Sequence, residues 1–238
     1  MSDASSRAKA GGTRWHPFAT SAALIADARN RVIAAADEAI STRGRFIIVL
    51  SGGNTPRALY RSLRDAETDW TRWHVYYGDE RCVAAHDAGR NSVMAAETLL
   101  DAVAIPREQC HTIPGELGAD AAADAYAATL RDVGMFDLVL LGLGEDGHVA
   151  SLFSHASEHR FGSRGDVVAI SNAPKPPPER VSLSAARLSD ARVVLFLVSG
   201  ESKRDAVRRW REGEPIAAAG IQPAAGVDVL IDAALLPG

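Results

Sequence analysis

An excess of positive charge is the first thing missing from this chain of 238 residues. Lys and Arg number 26 against 30 Asp and Glu, a net charge of -4. That balance argues against non-specific affinity for nucleic acid or an anionic membrane, though a local basic patch could still hold phosphate. Cysteine is scarce: Cys82 and Cys110 stand in no spacing that reads as a metal knuckle or a disulfide scaffold. Two free thiols in a reducing compartment are the expectation. No apolar run approaches the ~20 residues needed to span a bilayer. The N-terminal MSDASSRAKAGGTRW lacks the hydrophobic segment of a secretory signal. The chain reads as cytoplasmic, with residues 1–15 a loose tail and residues 16–238 a single α/β domain. Several catalytic signatures are also missing. There is no G-x-S-x-G elbow, no H-E-x-x-H, and no Walker A lysine. His155 and His159 share helical spacing, but no Cys/His cluster supports a metal.

What is present is an alternation of helical and extended patterns. Apolar residues at Phe18, Ala22, Ile25, Ala28, Val32, Ala36 and Ala39 recur at helical spacing, with Thr20 or Ser21 as the cap. The continuous apolar run Phe46–Leu50 suits a parallel strand covered on both faces, and Trp73–Tyr77, Phe136–Leu141 and Ala191–Val198 read as further strands. Val167–Ile170 and Val227–Ile231 read as shorter strands. Helices are expected at Asn91–Leu100, Ala119–Leu130 and the end of Gly200–Trp210, with a further helix opening at His148–Phe153. The fold class that follows is α/β, a Rossmann-like layered fold with a mainly parallel central sheet and helices on both faces.

Ligands in such sheets gather outside the carboxyl ends of the strands. SGGNTP follows FIIVL directly. Gly52 and Gly53 let backbone N–H groups approach an anion, Ser51, Asn54 and Thr55 add polar groups, and a helix starting near Pro56 supplies its positive end. Asp79, Glu80 and Arg81 follow the next strand. Asp146 and His148 follow the third, within GLGEDGH, and Lys203 follows the strand ending near Val198. GLGEDG matches G-x-G-x-x-G by letters, yet His148 has no role in a nucleotide motif. Lys175 and Arg180 bracket the proline run Ala173–Pro178, which reads as a rigid loop able to present charge to a phosphate. A histidine at a glycine-rich strand end is a candidate general base, with Asp146 placed to orient it.

LSGGNTP, YYGDERCV followed by Asn91–Ser92, FDLVLLGLGEDGHVASLF, APKPPPERVSL and FLVSGESKRDAV occur in order between Phe18 and Ile231. Together they resemble the family of 6-phosphogluconolactonases and glucosamine-6-phosphate deaminases. The resemblance implies a Rossmann-like fold with no nucleotide, metal or other cofactor. It implies His148 as base, with Asp146 and Arg81 in support. Ser51, Gly52, Thr55, Arg180 and Lys203 are implied at a phosphate, with Gly53, Asn54 and Lys175 joining them by position, and Asp79 and Glu80 along the substrate region. The deaminase branch reads DEY where this chain has Asp79-Glu80-Arg81, and carries a glutamate after its histidine where this chain has Ser151-Leu152-Phe153-Ser154. The expected activity is hydrolysis of 6-phospho-D-glucono-1,5-lactone in the oxidative pentose phosphate route. The alternatives are a deaminase/isomerase or a non-catalytic sugar-phosphate sensor. The expected partner is a small sugar-phosphate lactone, with no nucleic acid and no membrane.

Overall fold

The computed structural model describes residues 11–153, 159–161 and 165–237, of which 159–161 as backbone. In chain order the elements are β1 (Thr13–Phe18), α1 (Ser21–Arg43), β2 (Phe46–Leu50), α2 (Asn54–Leu63), β3 (Trp73–Tyr77), β4 (Asp79–Arg81), α3 (Asn91–Thr98) and α4 (Ala119–Thr129). There follow β5 (Phe136–Gly142), β6 (His159–Phe161), β7 (Val167–Ile170), β8 (Arg180–Leu183), α5 (Ala185–Ser189), β9 (Ala191–Val198), α6 (Arg204–Arg211) and β10 (Val227–Asp232). A six-stranded sheet, ordered β1-β10-β9-β5-β2-β3, is parallel throughout. Every residue of β2 is buried, as is all of β5 up to Leu141, so side chains of both parities lie under cover. This is the continuous apolar pattern that a doubly covered parallel sheet requires. Thr20 caps α1, its hydroxyl accepting from the Ala23 N–H at 3.2 Å. Leu24, Ala28, Val32, Ala36 and Ala39 form the helix's buried stripe. Among the described residues no helix is long and apolar enough to cross a membrane.

Three expectations need correction. The sheet starts at Thr13, so residues 13–15 are edge strand rather than tail. Arg14 fixes them by a bidentate pair with Asp228 on β10, at 2.9 and 2.7 Å. Residues 1–10 of the expected tail, and His155, lie outside the described residues.

Val167–Ile170 does not join the main sheet. It forms a second, antiparallel sheet ordered β4-β8-β7-β6, in which Asp79–Arg81 pairs with Arg180–Leu183. The DER triplet is therefore a strand and not a solvated loop.

No helix opens at His148–Phe153. Val149 and Leu152 exchange N–H···O=C bonds around a tight turn in which Ala150 adopts φ 50°. Ser151, at the turn, is drawn into the interior by Asp79, which accepts its hydroxyl at 2.6 Å. That buried bond, and the Ser151 N–H on the Ser182 hydroxyl, override a local helical tendency.

The chain leaves β2 for β3 on one side, whereas β5 leads to β9 on the other. The crossover direction thus reverses between β2 and β5. A crevice forms outside the carboxyl ends of strands at such a point.

Glu80 shows how rigidly one wall of that crevice is built. Its carboxylate is fully buried and accepts from the N–H groups of Arg81 (2.9 Å), Asn91 (2.8 Å) and Ser92 (2.8 Å). Arg90, itself buried, lies 3.5 Å away. Glu80 therefore caps α3 from another element, supplying the acceptor that Arg90, with no side-chain cap bond, does not. Glu80→Gln places an amide donor against these donors and leaves one of them unpaired. A loss of about 3 kcal/mol is expected, or a fall in Tm of roughly 6–12 °C for a chain of this size. Differential scanning calorimetry checks this, and an unchanged Tm contradicts the capping role.

Candidate active site

At the switch point between β2 and β5 lies a cavity of about 550 Å³. Its walls come from the turn after β2 (Ser51–Pro56), the turn after β5 (Gly142, Leu143, Gly144, His148, Ala150) and the turn after β9 (Ser199, Gly200, Ser202, Lys203). Asp79, Arg81, Asn91 and Arg180 complete it.

Two buried tyrosines hold strand ends beside this cavity. The Tyr60 hydroxyl, from α2, accepts the Ser51 N–H at 2.9 Å and donates to the Ser51 carbonyl at 2.7 Å. The Tyr126 hydroxyl, from α4, does the same for Tyr77 at the end of β3, at 2.9 and 3.1 Å. Burial pushes both phenols well above the ordinary tyrosine value, so each remains a neutral donor and acceptor.

Close approach explains two of the glycines. A Cβ on Gly52 would stand 2.0 Å from Asn91 Oδ1, so the first turn passes directly under that amide. A Cβ on Gly144 would stand 2.0 Å from Nδ1 of His148, so the imidazole lies against bare backbone. The helix α2 begins at Asn54 with Gly53 as its N-cap and no side-chain cap bond. Its first-turn N–H groups have no intrahelical acceptor and face the cavity with the positive end of the helix. Thr55 and Ser199 share a hydroxyl–hydroxyl bond of 2.8 Å, which ties the first and third turns together.

His148 Nδ1 meets Asp146 Oδ1 at 2.5 Å. A carboxylate only accepts, so the proton sits on Nδ1 and the lone pair on Nε2. The ring also packs on Phe153, 4.7 Å between centroids. Burial acts to raise the Asp146 carboxyl, but the hydrogen bond and charge of His148 outweigh it and hold the group below the ordinary aspartate value. Burial lowers Lys203, with Glu145 and Asp146 opposing the shift. Arg180 is likewise lowered by burial, opposed by Asp79. Its Nη2 donates to the carbonyls of Lys175 (3.1 Å) and Pro176 (3.2 Å), which folds the proline loop around it. Arg81 Nη1 donates to the Gly89 carbonyl, while its buried Nε has no acceptor. Arg81 lines the cavity, where its guanidinium can meet a ligand oxygen.

Of the residues singled out from sequence, Ser51, Gly52, Gly53, Asn54, Thr55, Asp79, Arg81, His148, Arg180 and Lys203 line this one cavity. Asp146 supports it through His148. Two others do not reach it. Glu80 is buried under α3, as described above. Lys175 pairs with the exposed Glu145 at 2.6 Å and lends its carbonyl to Arg180, while its charge acts on Lys203. The substrate assignment of Glu80 is corrected accordingly.

Sequence reasoning gave no role to Asn91, which donates to the Asp79 carbonyl and carboxylate at 3.0 Å each, nor to Ser151, which bonds the other Asp79 oxygen. It also passed over Ser199–Gly200, although a Ser-Gly pair after a buried strand repeats the signal read at Ser51–Gly52. The turn Gly142–Gly147 does not open a helix, so the G-x-G-x-x-G match lacks the helix N-terminus that a dinucleotide needs. The thiols of Cys82 and Cys110 are free and half-buried, with Cys82 pushed up to about 11 mainly by burial, which makes it a poor nucleophile. Among the described residues no group of three or more His, Cys, Asp and Glu could hold a metal ion.

Comparison with known proteins agrees with this fold. A 6-phosphogluconolactonase of Mycobacterium leprae is 37% identical over 241 residues, spanning 93% of this chain and 97% of the relative. The 6-phosphogluconolactonase structure of Trypanosoma brucei superposes with a TM-score of 0.83 at 27% identity, over 94% of this chain and 98% of that one. The structure of 6-phosphogluconolactonase from Thermotoga maritima shares the fold, with a TM-score of 0.84 at 24% identity over 92% of this chain and 99% of that one. The sequence profile of the glucosamine-6-phosphate isomerases/6-phosphogluconolactonase family matches residues 19–231. The chain belongs to that family.

Proposed function

We propose that this protein hydrolyses 6-phospho-D-glucono-1,5-lactone to 6-phospho-D-gluconate, as a step of the oxidative pentose phosphate route, with water activated by His148. The observation that carries the reading is a single cavity that joins an anion-binding turn to a histidine whose Nε2 is left free by its bond to Asp146. Arg81, Arg180 and Lys203 outnumber Asp79 along the walls, so the lining favours a doubly charged phosphate.

The 6-phosphate docks on the N-terminal turn of α2, with Lys203 and Arg180 as counter-charges. This remote binding holds the lactone carbonyl near His148 and converts binding into orientation. Nε2 takes a proton from water as the water oxygen bonds to C1. The carbonyl π electrons move to oxygen, and the resulting oxyanion is met by Arg81, since the Gly144 and Gly147 N–H groups already donate to the His148 and Gly144 carbonyls. Collapse re-forms the carbonyl and breaks the bond from C1 to the ring oxygen. That oxygen takes the proton back from Nε2, and neutral His148 is restored. Asp146 stabilises the transient imidazolium and keeps the other proton on Nδ1.

The substrate assignment is tested by comparing turnover of 6-phosphogluconolactone with that of unphosphorylated glucono-1,5-lactone, each corrected for spontaneous hydrolysis, and by assaying ammonia release from glucosamine 6-phosphate. The phosphorylated lactone is expected to win by at least about 10²-fold in kcat/KM, the scale of a charge-assisted phosphate contact, with no ammonia released. Equal turnover of the two lactones would set the phosphate site aside, and ammonia release would move the protein to the deaminase branch.

A further inference from the structure

At the opposite end of the central sheet from the catalytic cavity lies a second cavity of about 400 Å³, where β2, β5 and β9 begin. Arg43, Arg45 and Arg192 line it, with Asp137 as the one carboxylate in its wall. That carboxylate is already occupied: it accepts the Ile47 N–H at 2.8 Å and Arg43 Nε at 2.9 Å, with Arg192 Nε 3.4 Å away. Arg43 Nη1 is taken by Thr42 at 2.8 Å and by the exposed Glu38 at 3.2 Å. Arg43 Nη2 is buried and has no acceptor. Arg45 forms no ion pair among the described residues, and its charge lowers the neighbouring His74, behind the larger effect of burial. The wall also carries Met135, 46% exposed and one of two exposed large hydrophobic side chains among the described residues.

Here Arg45, without an ion pair among the described residues, and Arg192, engaged through its Nε alone, stand around a space large enough for a small organic ligand. An apolar side chain stands exposed beside them. We propose that this cavity is a second binding site, for a small organic phosphate that carries a flat apolar group, with the phosphate on Arg45 and Arg192 and the apolar part against Met135. Guanidinium forks match phosphate oxygens in a planar, bidentate way. A thioether side chain adapts to a flat partner. The site is independent of the lactonase reading, because none of its residues lines the catalytic cavity.

The test is a titration of ADP, as the probe, into 15N-labelled wild-type protein followed by NMR. Saturable shifts are expected at the amides of Gly44, Ile47 and Gly134. Arg45→Ala and Arg192→Ala should each weaken binding about tenfold, the loss of one charge-assisted contact. Both side chains are at the surface, so melting curves should match wild type and separate lost binding from lost folding. Inorganic phosphate should shift the same amides with at least about fivefold weaker affinity, since it has nothing to place on Met135. Shifts confined to the Gly52–Thr55 and Gly144–His148 turns, shifts that never saturate, or unchanged affinity in both variants would overturn the site. Phosphate binding as tightly as ADP would overturn the apolar half of the proposal.

Discussion

Replacing His148 by alanine should lower kcat for 6-phosphogluconolactone by about 10²–10⁴-fold, the range of a positioned general base, and leave KM within a few-fold. The split follows from where the groups lie. His148 sits on the turn after β5, while the phosphate-binding groups sit on the turn after β2 and beyond β9. The imidazole packs on Phe153 and against Gly144, and its side chain is 18% exposed, so removing it leaves a small gap at the edge of the cavity rather than a hole in the core. Tm should therefore move by no more than a few degrees. A spontaneous background reaction persists in any lactone assay, so the quantity to compare is the enzyme-dependent excess, by stopped-flow or by rapid titration of the acid released. A folded His148→Ala protein that turns over at near the wild-type rate would remove His148 as the base. A large rise in KM with kcat intact would reassign the ring to binding.

Asp146→Asn should cost about 10²-fold in kcat, less than loss of the histidine, because the base is still present. Asparagine can accept from Nδ1–H through its carbonyl or donate to Nδ1 through its amide. The second arrangement moves the proton to Nε2 and disables it. Even in the first, the imidazolium formed during attack has no carboxylate to stabilise it. Asp146 is 43% exposed, so solvent screens part of its charge and the loss should fall short of that of a fully buried dyad.

The pH dependence of stability has a definite sign. The folded-state pKa of Asp146 lies below the ordinary 3.8. Its ionised form therefore favours the folded chain above that value, and the contribution is lost as pH falls through the folded pKa. A stability gap between wild type and Asp146→Asn at neutral pH should close in strong acid. Across the neutral range Asp146 stays ionised, so its own titration leaves no mark on the activity profile there. Denaturant melts at several pH values check the first statement. A gap that widens toward acid would contradict the bond between Asp146 and His148.

Strand-end chemistry was readable from sequence because it depends on local pattern. FIIVL before SGGNTP, and FDLVLLG before EDGH, each place a buried strand beside a glycine turn, and both turns line the same cavity. The helical stripe from Ala28 to Ala39 was legible for the same reason, since its period is carried by neighbouring residues, although at its start Leu24 is buried and Ala22 is exposed. What sequence missed depends on partners far along the chain. Thr13–Phe18 becomes a strand because β10 pairs with it, and Arg14 reaches Asp228 across 214 residues of sequence. Ser151 turns inward, and the expected helix is lost, because Asp79 lies 72 residues earlier. Glu80 looked like a site residue through its place in Asp79-Glu80-Arg81. Strand alternation instead turns it to the opposite face, where it caps α3. Asn91 carried no chemical signal of its own. Its place over Gly52 is set by that same cap and by its bonds to Asp79.

The most direct test of the account is the rate at which freshly generated 6-phosphogluconolactone is hydrolysed near neutral pH, with and without the protein, after subtraction of the spontaneous rate. A large protein-dependent excess, saturable in substrate and lost in His148→Ala, is the predicted result. A folded sample that adds nothing to the spontaneous rate would contradict lactone hydrolysis as the chemistry of this cavity.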